Sequence, residues 1–258
     1  MRLRVELSAP EAVVIPWDYG QYLMAAVYFN VGLADRQLQR FVHEHGFSGG
    51  GRRFRLFTFS YLFPERRETT PAGPRLCGGA RWWFSSPVKE FARAFVDGLQ
   101  RRGGVAIGRH FLTLQGVAPE PEPELAGKVW LETLSPLVAS TGYREAGDLR
   151  KRFLQPGDAD MPRVLEENLR RKYAALHGDA APGEKISFDF PGPFHSRLFR
   201  VRGTGVRGWE MRFGVEGPPE LLAVGYGAGF GEHNAAGFGM VRRCQPPGPW
   251  GASSPPTG

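Results

Sequence analysis

Cysteine is scarce in this sequence. Only Cys77 and Cys244 occur among 258 residues, they lie far apart, and they form no C-x-x-C pair. A disulfide-stabilised scaffold needs a much higher cysteine density in a much shorter chain. The cysteine content therefore argues against that class and predicts a reduced, intracellular protein.

Long apolar runs are also missing. No stretch approaches the roughly 20 residues that a membrane-spanning helix needs. The first residues, Met1 to Leu7, alternate charged and apolar side chains, which is typical of a half-buried strand and not of a signal sequence. We therefore expect a cytoplasmic protein with no membrane partner.

Several signatures of catalysis and cofactor binding are absent. The sequence has no Gly-x-Ser-x-Gly elbow and no recognisable spacing of metal ligands, and a helix would point His43 and His45 to nearly opposite sides. A dinucleotide-binding motif that starts at Gly225 or Gly227 would need glycine or alanine at Phe230 or Glu232, respectively. The same segment also lacks the Gly-Lys-Ser/Thr ending of a Walker loop. The sequence predicts no metal and no cofactor.

Lysine is rare although the chain is basic. Only five of the 33 basic residues are lysine, and the rest are arginine. Together with 26 acidic residues they give a formal net charge of +7 and an isoelectric point of about 9.7. This balance favours a polyanionic partner, and arginine suits bidentate contacts with phosphate. A basic surface without any partner is the alternative interpretation.

Glycine, in contrast, is dense near the end of the chain. Gly229, Gly231, Gly237 and Gly239 form two Gly-x-Gly pairs around a five-residue polar insert. Such a segment can turn through positive φ and bring backbone N–H groups close to a ligand. In a basic chain we expect these donors to face phosphates.

Hydrophobic periodicity divides the chain into two similar halves, each with a β-α-β-β-α-β-like order. The first half includes a predicted helix from Asp35 to about His45, a predicted strand from Phe54 to Phe63 and a loop from Pro64 to Gly79. We predict an α+β protein of two tandem ferredoxin-like (RRM-like) domains, with the glycine-rich loop near the C-terminal end.

Composition predicts the domain boundaries. The stiff acidic segment from Pro119 to Glu124 indicates a linker at 119–126 between domains at 1–118 and 127–243. Residues 244–258 are rich in proline, glycine and serine, so we predict a disordered tail.

The glycine loop, the repeated halves and the basic charge together resemble a known family. Residues 1–243 are similar to the CRISPR-associated endoribonucleases that cut repeat RNA into guide RNAs, the Cas-six family of the RAMP superfamily. The resemblance is strongest from Gly229 to Val241, then from Arg55 to Ser60 and from Val42 to Glu44. It implies metal-independent cleavage, in which a ribose 2′-hydroxyl attacks the adjacent phosphate and leaves a 2′,3′-cyclic phosphate and a 5′-hydroxyl. CRISPR repeat RNA is the implied partner, and other CRISPR-complex subunits and a second copy of the chain are further candidates.

The resemblance also implies three catalytic residues. His43 matches the family's acid/base position, where a histidine pKa near 6.5 suits proton transfer; His45 stays an alternative. Tyr28 matches a tyrosine that orients or deprotonates the 2′-hydroxyl in some members, or else is a core aromatic. Arg55 stands where the family often has lysine, and its guanidinium stabilises phosphate charge but cannot donate a proton. Arg52 and Arg53 are alternatives for this phosphate contact.

The residues expected to bind RNA lie in the glycine loop or carry positive charge. They are Gly229, Gly231, His233, Asn234, Gly237, Gly239, Arg52, Arg53, Arg150, Arg152, Arg170, Arg171 and Lys172. Solvated surface positions are the alternative for the basic clusters. Two other functions stay open: a non-catalytic RNA-binding subunit of a CRISPR interference complex, and an unrelated single-stranded nucleic-acid binding module.

Overall fold

The computed structural model describes residues 1–9, 11–145, 148–201 and 203–247. The helices are α1 (Gly20–Ala34), α2 (Arg36–Arg40), α3 (Lys89–Arg102), α4 (Asp160–His177) and α5 (Pro219–Ala228), with a π-helical turn at Phe41–His45 and a 3-10 turn at Asn234–Ala236. The strands are β1 (Arg2–Ser8), β2 (Val13–Val14), β3 (Phe47–Gly49), β4 (Arg52–Phe54), β5 (Thr58–Thr70), β6 (Gly73–Ser85), β7 (Gly104–Ile107), β8 (His110–Glu120), β9 (Val129–Thr133), β10 (Ser140–Glu145), β11 (Asp148–Phe153), β12 (Ser187–Asp189), β13 (Phe194–Val201), β14 (Thr204–Glu216) and β15 (Val241–Arg243). No described helix is long and apolar enough to cross a membrane. Most of the predicted tail, from residue 248 on, lies outside the described residues.

The first sheet has the strand arrangement of a ferredoxin-like domain. Its four long strands lie in the order β5-β6-β1-β8, so the first strand in sequence pairs with the third and the fourth. The alternation in β1 buries Leu3, Val5 and Leu7. α1 and α3 pack so closely that a Cβ at Gly98 would overlap with the backbone carbonyl of Asn30.

The second sheet repeats this arrangement. β12 and β13 both pair with β14, and the order continues β14-β9-β15, while α4 and α5 supply the two helices. Met161, Leu165 and Leu169 recur at helical spacing and fill the buried face of α4. The prediction of tandem ferredoxin-like domains is therefore confirmed, and each half has its own apolar core.

Several element boundaries differ from the sequence predictions. The predicted loop from Pro64 to Gly79 belongs to the β5–β6 hairpin, because Pro64 lies on an edge strand at a register irregularity, where its missing N–H is tolerated. The predicted strand start at Phe54 was also wrong. Leu56 has φ +51°, which interrupts extended backbone before Thr58. β8 extends two residues into the predicted linker, and there Glu120 accepts hydrogen bonds from Arg2 and Trp83.

The two domains are joined by hydrogen bonds that reach the region of the glycine loop. Arg2 Nη1 donates to the carbonyl of Val241 at 2.6 Å, and its guanidinium lies 4.6 Å from the ring centroid of Tyr226. Thr58 Oγ1 donates to the carbonyl of Phe238 at 2.9 Å. β1 and β5 of the first domain therefore hold the end of the second domain in place.

Candidate active site and RNA-binding cleft

A cleft of about 500 Å³ lies between the two domains. The first domain contributes residues of α1 and the segment 52–57, and the second contributes β11, α4, the end of the β13–β14 hairpin and the glycine loop. Five lysine and arginine side chains line it: Arg52, Arg53, Arg55, Lys151 and the buried Lys172. Such a cleft suits a polyanion because each wall brings cations to the same space.

Tyr28 and His43 meet beside this cleft. The ring of Tyr28, on α1, contacts the imidazole of His43 edge-on, with ring centroids 4.9 Å apart and planes at 89°. Tyr28 also contacts Phe57 in a similar edge-on geometry, with ring centroids 5.5 Å apart. The phenol ring thus contacts both a buried aromatic and an exposed histidine, and a catalytic role for Tyr28 stays a prediction.

The predicted helix from Asp35 to His45 ends in a π-helical turn. The N–H of Gly46 donates to the carbonyl of Phe41 at 2.8 Å, which closes the wider turn. π-turns are frequent at functional sites because they change the direction of side chains. Here His43 faces Tyr28, whereas His45 lies near Phe41, at 6.3 Å between ring centroids.

Arg55 completes this cluster. Its Nη2 donates to the backbone carbonyl of His43 at 3.0 Å, so the guanidinium is tied to the turn that carries the imidazole. The next residue, Leu56, has a left-handed φ of +51° although its side chain is buried. A non-glycine residue in that region costs about 1–3 kcal/mol and recurs at functional sites, where the fold holds it.

The four loop glycines determine how tightly the loop packs. All have positive φ, from +69° to +90°, and all are buried. The N–H groups of Gly229, Gly237 and Gly239 donate to Gly225, Asn234 and Pro136. A Cβ at Gly239 would overlap with the carbonyl of Phe230. These glycines therefore allow tight packing of the loop, and three of their donors face the protein and not a ligand.

Asn234 and Lys172 hold the loop together from inside. Lys172 Nζ donates to the carbonyls of Gly229 and Gly231 and to Asn234 Oδ1, at 2.6 to 2.8 Å. Asn234 Nδ2 donates to the carbonyls of Phe230 and Phe238, both at 3.0 Å. The polar atoms of both side chains are thus used within the loop, and their contact with RNA stays a prediction. The helical spacing of Leu165, Leu169 and Lys172 was a sequence signal for this burial.

Burial also shifts the titration of this region. Desolvation lowers the pKa of Lys172 to about 7, while the charge of Glu232 opposes the shift. Desolvation and the positive charge of Lys151 lower the pKa of His233, which lines the cleft with a left-handed φ of +59°. His233 therefore favours the neutral form.

The four arginines of the second domain that were expected to bind RNA lie outside the cleft lining and make ion pairs. Arg150 pairs with Glu145, Arg152 with Asp158, Arg170 with Glu166 and Arg171 with Glu167. Arg170 also donates to the carbonyls of Pro182 and Glu184. Lys151, which the list of expected RNA contacts omitted, lines the cleft and pairs with Glu232 at 2.8 Å. Side chains alternate along β11, so Lys151 faces away from Arg150 and Arg152.

The fold and the cleft define a tandem ferredoxin-like protein with a basic cleft between its domains. Two family models match it: "CRISPR-associated protein Cas6, N-terminal" over residues 14–118 and "CRISPR associated protein Cas6, C-terminal" over residues 119–243. The chain belongs to the Cas6 family.

Relatives with established names support this assignment. The chain is 30% identical to the CRISPR-associated endoribonuclease Cas6 1 of Methanocaldococcus jannaschii, over 93% of this chain and 92% of the relative. It is 29% identical to the CRISPR-associated endoribonuclease Cas6 of Pyrococcus furiosus, over 90% and 84%. A solved structure of a CRISPR associated protein Cas6 superposes with a TM-score of 0.80 at 29% identity, over 95% of this chain and 99% of that chain.

Proposed function

We propose that this protein is an endoribonuclease that cleaves CRISPR precursor RNA once within each repeat, in the cytoplasm, to produce guide RNAs. Its family and the names of its relatives support this function. The observation that carries the proposal is the cluster of Tyr28, His43 and Arg55 at the side of a cleft lined by further cations.

The chemistry makes three demands. Attack of the 2′-oxygen forms a bond to phosphorus, the P–O5′ bond breaks, one proton leaves the 2′-hydroxyl and one proton reaches O5′. The transition state also gains negative charge on the phosphate oxygens. The products are a 2′,3′-cyclic phosphate and a 5′-hydroxyl, and water does not enter the bond change.

We assign one side chain to each demand. Arg55 stabilises the phosphate charge with Arg52 or Arg53, because a guanidinium stays protonated and binds phosphate bidentately. Since Arg55 cannot give up a proton, His43 in its imidazolium form protonates O5′. Tyr28 holds the imidazole by ring contact and orients the 2′-hydroxyl. Its phenol oxygen accepts the 2′-hydroxyl proton while the phenol proton passes to solvent. Because side chains meet all three demands, we infer that the reaction needs no metal ion.

The RNA backbone follows the two walls of the cleft in this proposal. Arg52, Arg53, Lys151 and His233 contact phosphates, while the buried glycines, Asn234 and Lys172 fix the shape of the loop. Arg150, Arg152, Arg170 and Arg171 form the outer, ion-paired surface and contribute weakly. Binding to other CRISPR-complex subunits and to a second copy of the chain remains a prediction.

End-labelled repeat RNA, transcribed from a CRISPR array of the same genome, tests the function in excess EDTA. We expect one discrete cut with a cyclic phosphate on the 5′ fragment, and no cut in a shuffled RNA of equal length. Selective binding without cleavage would support a non-catalytic RNA-binding subunit instead. Equal binding of both RNAs without cleavage would contradict recognition of the repeat and support non-specific binding of single-stranded nucleic acid.

A further inference from the structure

Asn168 is a buried amide whose oxygen has no hydrogen-bond partner among the described residues. The residue is 7% exposed, and its Oδ1 accepts no hydrogen bond from the described part of the chain. Asn168 lines the same cleft as Tyr28 and Arg55, from the opposite wall. It is therefore a polar group in the lining of the cleft, and the proposed chemistry does not use it.

Its position on α4 makes the missing partner informative. The buried face of α4 is apolar except for Asn168 and, one turn later, Lys172. Lys172 makes three hydrogen bonds to the glycine loop, whereas the oxygen of Asn168 has none among the described residues. Burying an unpaired polar atom is unfavourable, and such atoms in native folds call for a ligand, a water or a functional role.

The surroundings of Asn168 combine two kinds of surface. Met24, Phe54, Phe153 and Val206 are apolar, whereas the cations of the cleft come mainly from the segment 52–55 and from β11. A nucleotide has matching parts, since its base has apolar faces and a polar edge while its phosphate is anionic. A volume of about 500 Å³ lies within the usual range for ligand sites.

A neutral carboxamide complements a base edge better than a phosphate. It offers one acceptor and two donors in a plane, and the amide can pair with an adjacent donor and acceptor on a base. We propose that the cleft contains a nucleobase-binding subsite, in which Asn168 recognises the edge of one base beside the scissile phosphate. This inference rests on the proposed function, because Tyr28 and Arg55 place the scissile phosphate in the same cleft.

The test measures binding, so that it does not depend on catalysis. The full chain is titrated with repeat RNA made uncleavable by a 2′-deoxy sugar on the 5′ side of the cut, or at every position if no cut is found. Further copies replace one base at a time. Wild type is compared with Asn168→Ala and with Asn168→Asp, which keeps the shape but removes the donor. Glu167→Gln, a neighbouring change on the same helix outside the cleft lining, is the matched control.

We expect wild type and Glu167→Gln to lose about tenfold or more in affinity when one particular base is replaced. Asn168→Ala loses this discrimination at that position alone, and Asn168→Asp changes which base is preferred there. A merely structural amide would not change base preference in folded variants with thermal midpoints near that of wild type.

Two results would overturn the inference while the proposed function stands: Asn168 variants that weaken all RNAs equally, or variants that bind as wild type does. If the Asn168 variants discriminate between bases as wild type does, and the wild-type chain cuts no natural repeat RNA, both the subsite and the proposed function are rejected. Discrimination that depends on Asn168 in a chain that binds but does not cut would reject catalysis and keep the subsite.

Discussion

The ring of Tyr28 lies edge-on to the imidazole of His43, with centroids 4.9 Å apart. This contact joins α1 to the π-helical turn, and Arg55 adds a hydrogen bond to the backbone of the same histidine. The imidazole therefore has a defined orientation although the residue is exposed. A histidine held in this way suits proton transfer, which depends on position before pKa.

Replacing His43 by alanine should slow cleavage by about 10²- to 10⁴-fold, the usual contribution of a positioned acid or base. Single-turnover cleavage of labelled repeat RNA measures this effect. His45→Ala is the control, because His45 lies near Phe41 and not Tyr28. An equal loss in both variants, or a larger loss for His45→Ala, would refute the assignment.

Arg55 should act through its charge and not through proton transfer. Arg55→Ala removes a donor to the phosphate, and we expect a loss of about 10²-fold in the single-turnover rate. Arg55→Lys keeps the positive charge and should recover part of that loss. Arg150→Ala, which removes an exposed ion pair with Glu145, should stay within about twofold of wild type. Full activity of Arg55→Ala would contradict a role in catalysis.

The fold was largely predictable from the sequence. The alternation of Leu3, Val5 and Leu7 and the helical spacing of Leu165 and Leu169 report burial directly, and these patterns recur in both halves. The β5–β6 hairpin was missed because Pro64 and the glycines near it suggest a loop when edge position is unknown. The left-handed φ of Leu56 carries no signal, since leucine rarely adopts it.

The candidate site was only partly predictable. The roles of His43, Tyr28 and Arg55 came from family resemblance, because periodicity cannot place residues 12 or more positions apart in one site. For Lys172, helical spacing indicated burial, but its charge suggested a surface. Asn168 carried no sequence signal of its own, because an asparagine on a helix is ordinary until its neighbours are known.

Two glycines separate two costs of adding a side chain: backbone strain at positive φ, and overlap of the new Cβ with neighbouring atoms. Gly239 and Gly51 have nearly equal φ, +71° and +73°, but a Cβ at Gly239 meets a carbonyl while one at Gly51 meets nothing within 4 Å. Gly51→Ala should lower the free energy of unfolding by about 1 kcal/mol. Gly239→Ala should lower it by about 3 kcal/mol or more, since the loop must also move. Denaturant unfolding measures both, and equal losses would contradict tight packing of the loop.

The lowered pKa of Lys172 predicts a pH-dependent stability. The folded value is about 7 and the usual value is 10.5, so between them the unfolded chain binds a proton that the folded chain does not. Stability should therefore rise with pH above 7, by up to about 1.4 kcal/mol per pH unit. Denaturant unfolding of wild type and Lys172→Met at pH 6.5, 8 and 9 isolates this contribution. Parallel pH profiles for the two proteins would rule it out.

The most direct measurement concerns the nucleophile. Wild-type protein in excess EDTA is incubated with end-labelled repeat RNA and with a copy that carries a single 2′-deoxy sugar on the 5′ side of the mapped cut. We expect discrete cleavage of the first RNA and none of the second, with equal affinity for both. Cleavage of the deoxy copy at the same phosphate would contradict attack by the 2′-hydroxyl, and cleavage that EDTA abolishes would contradict catalysis by side chains alone.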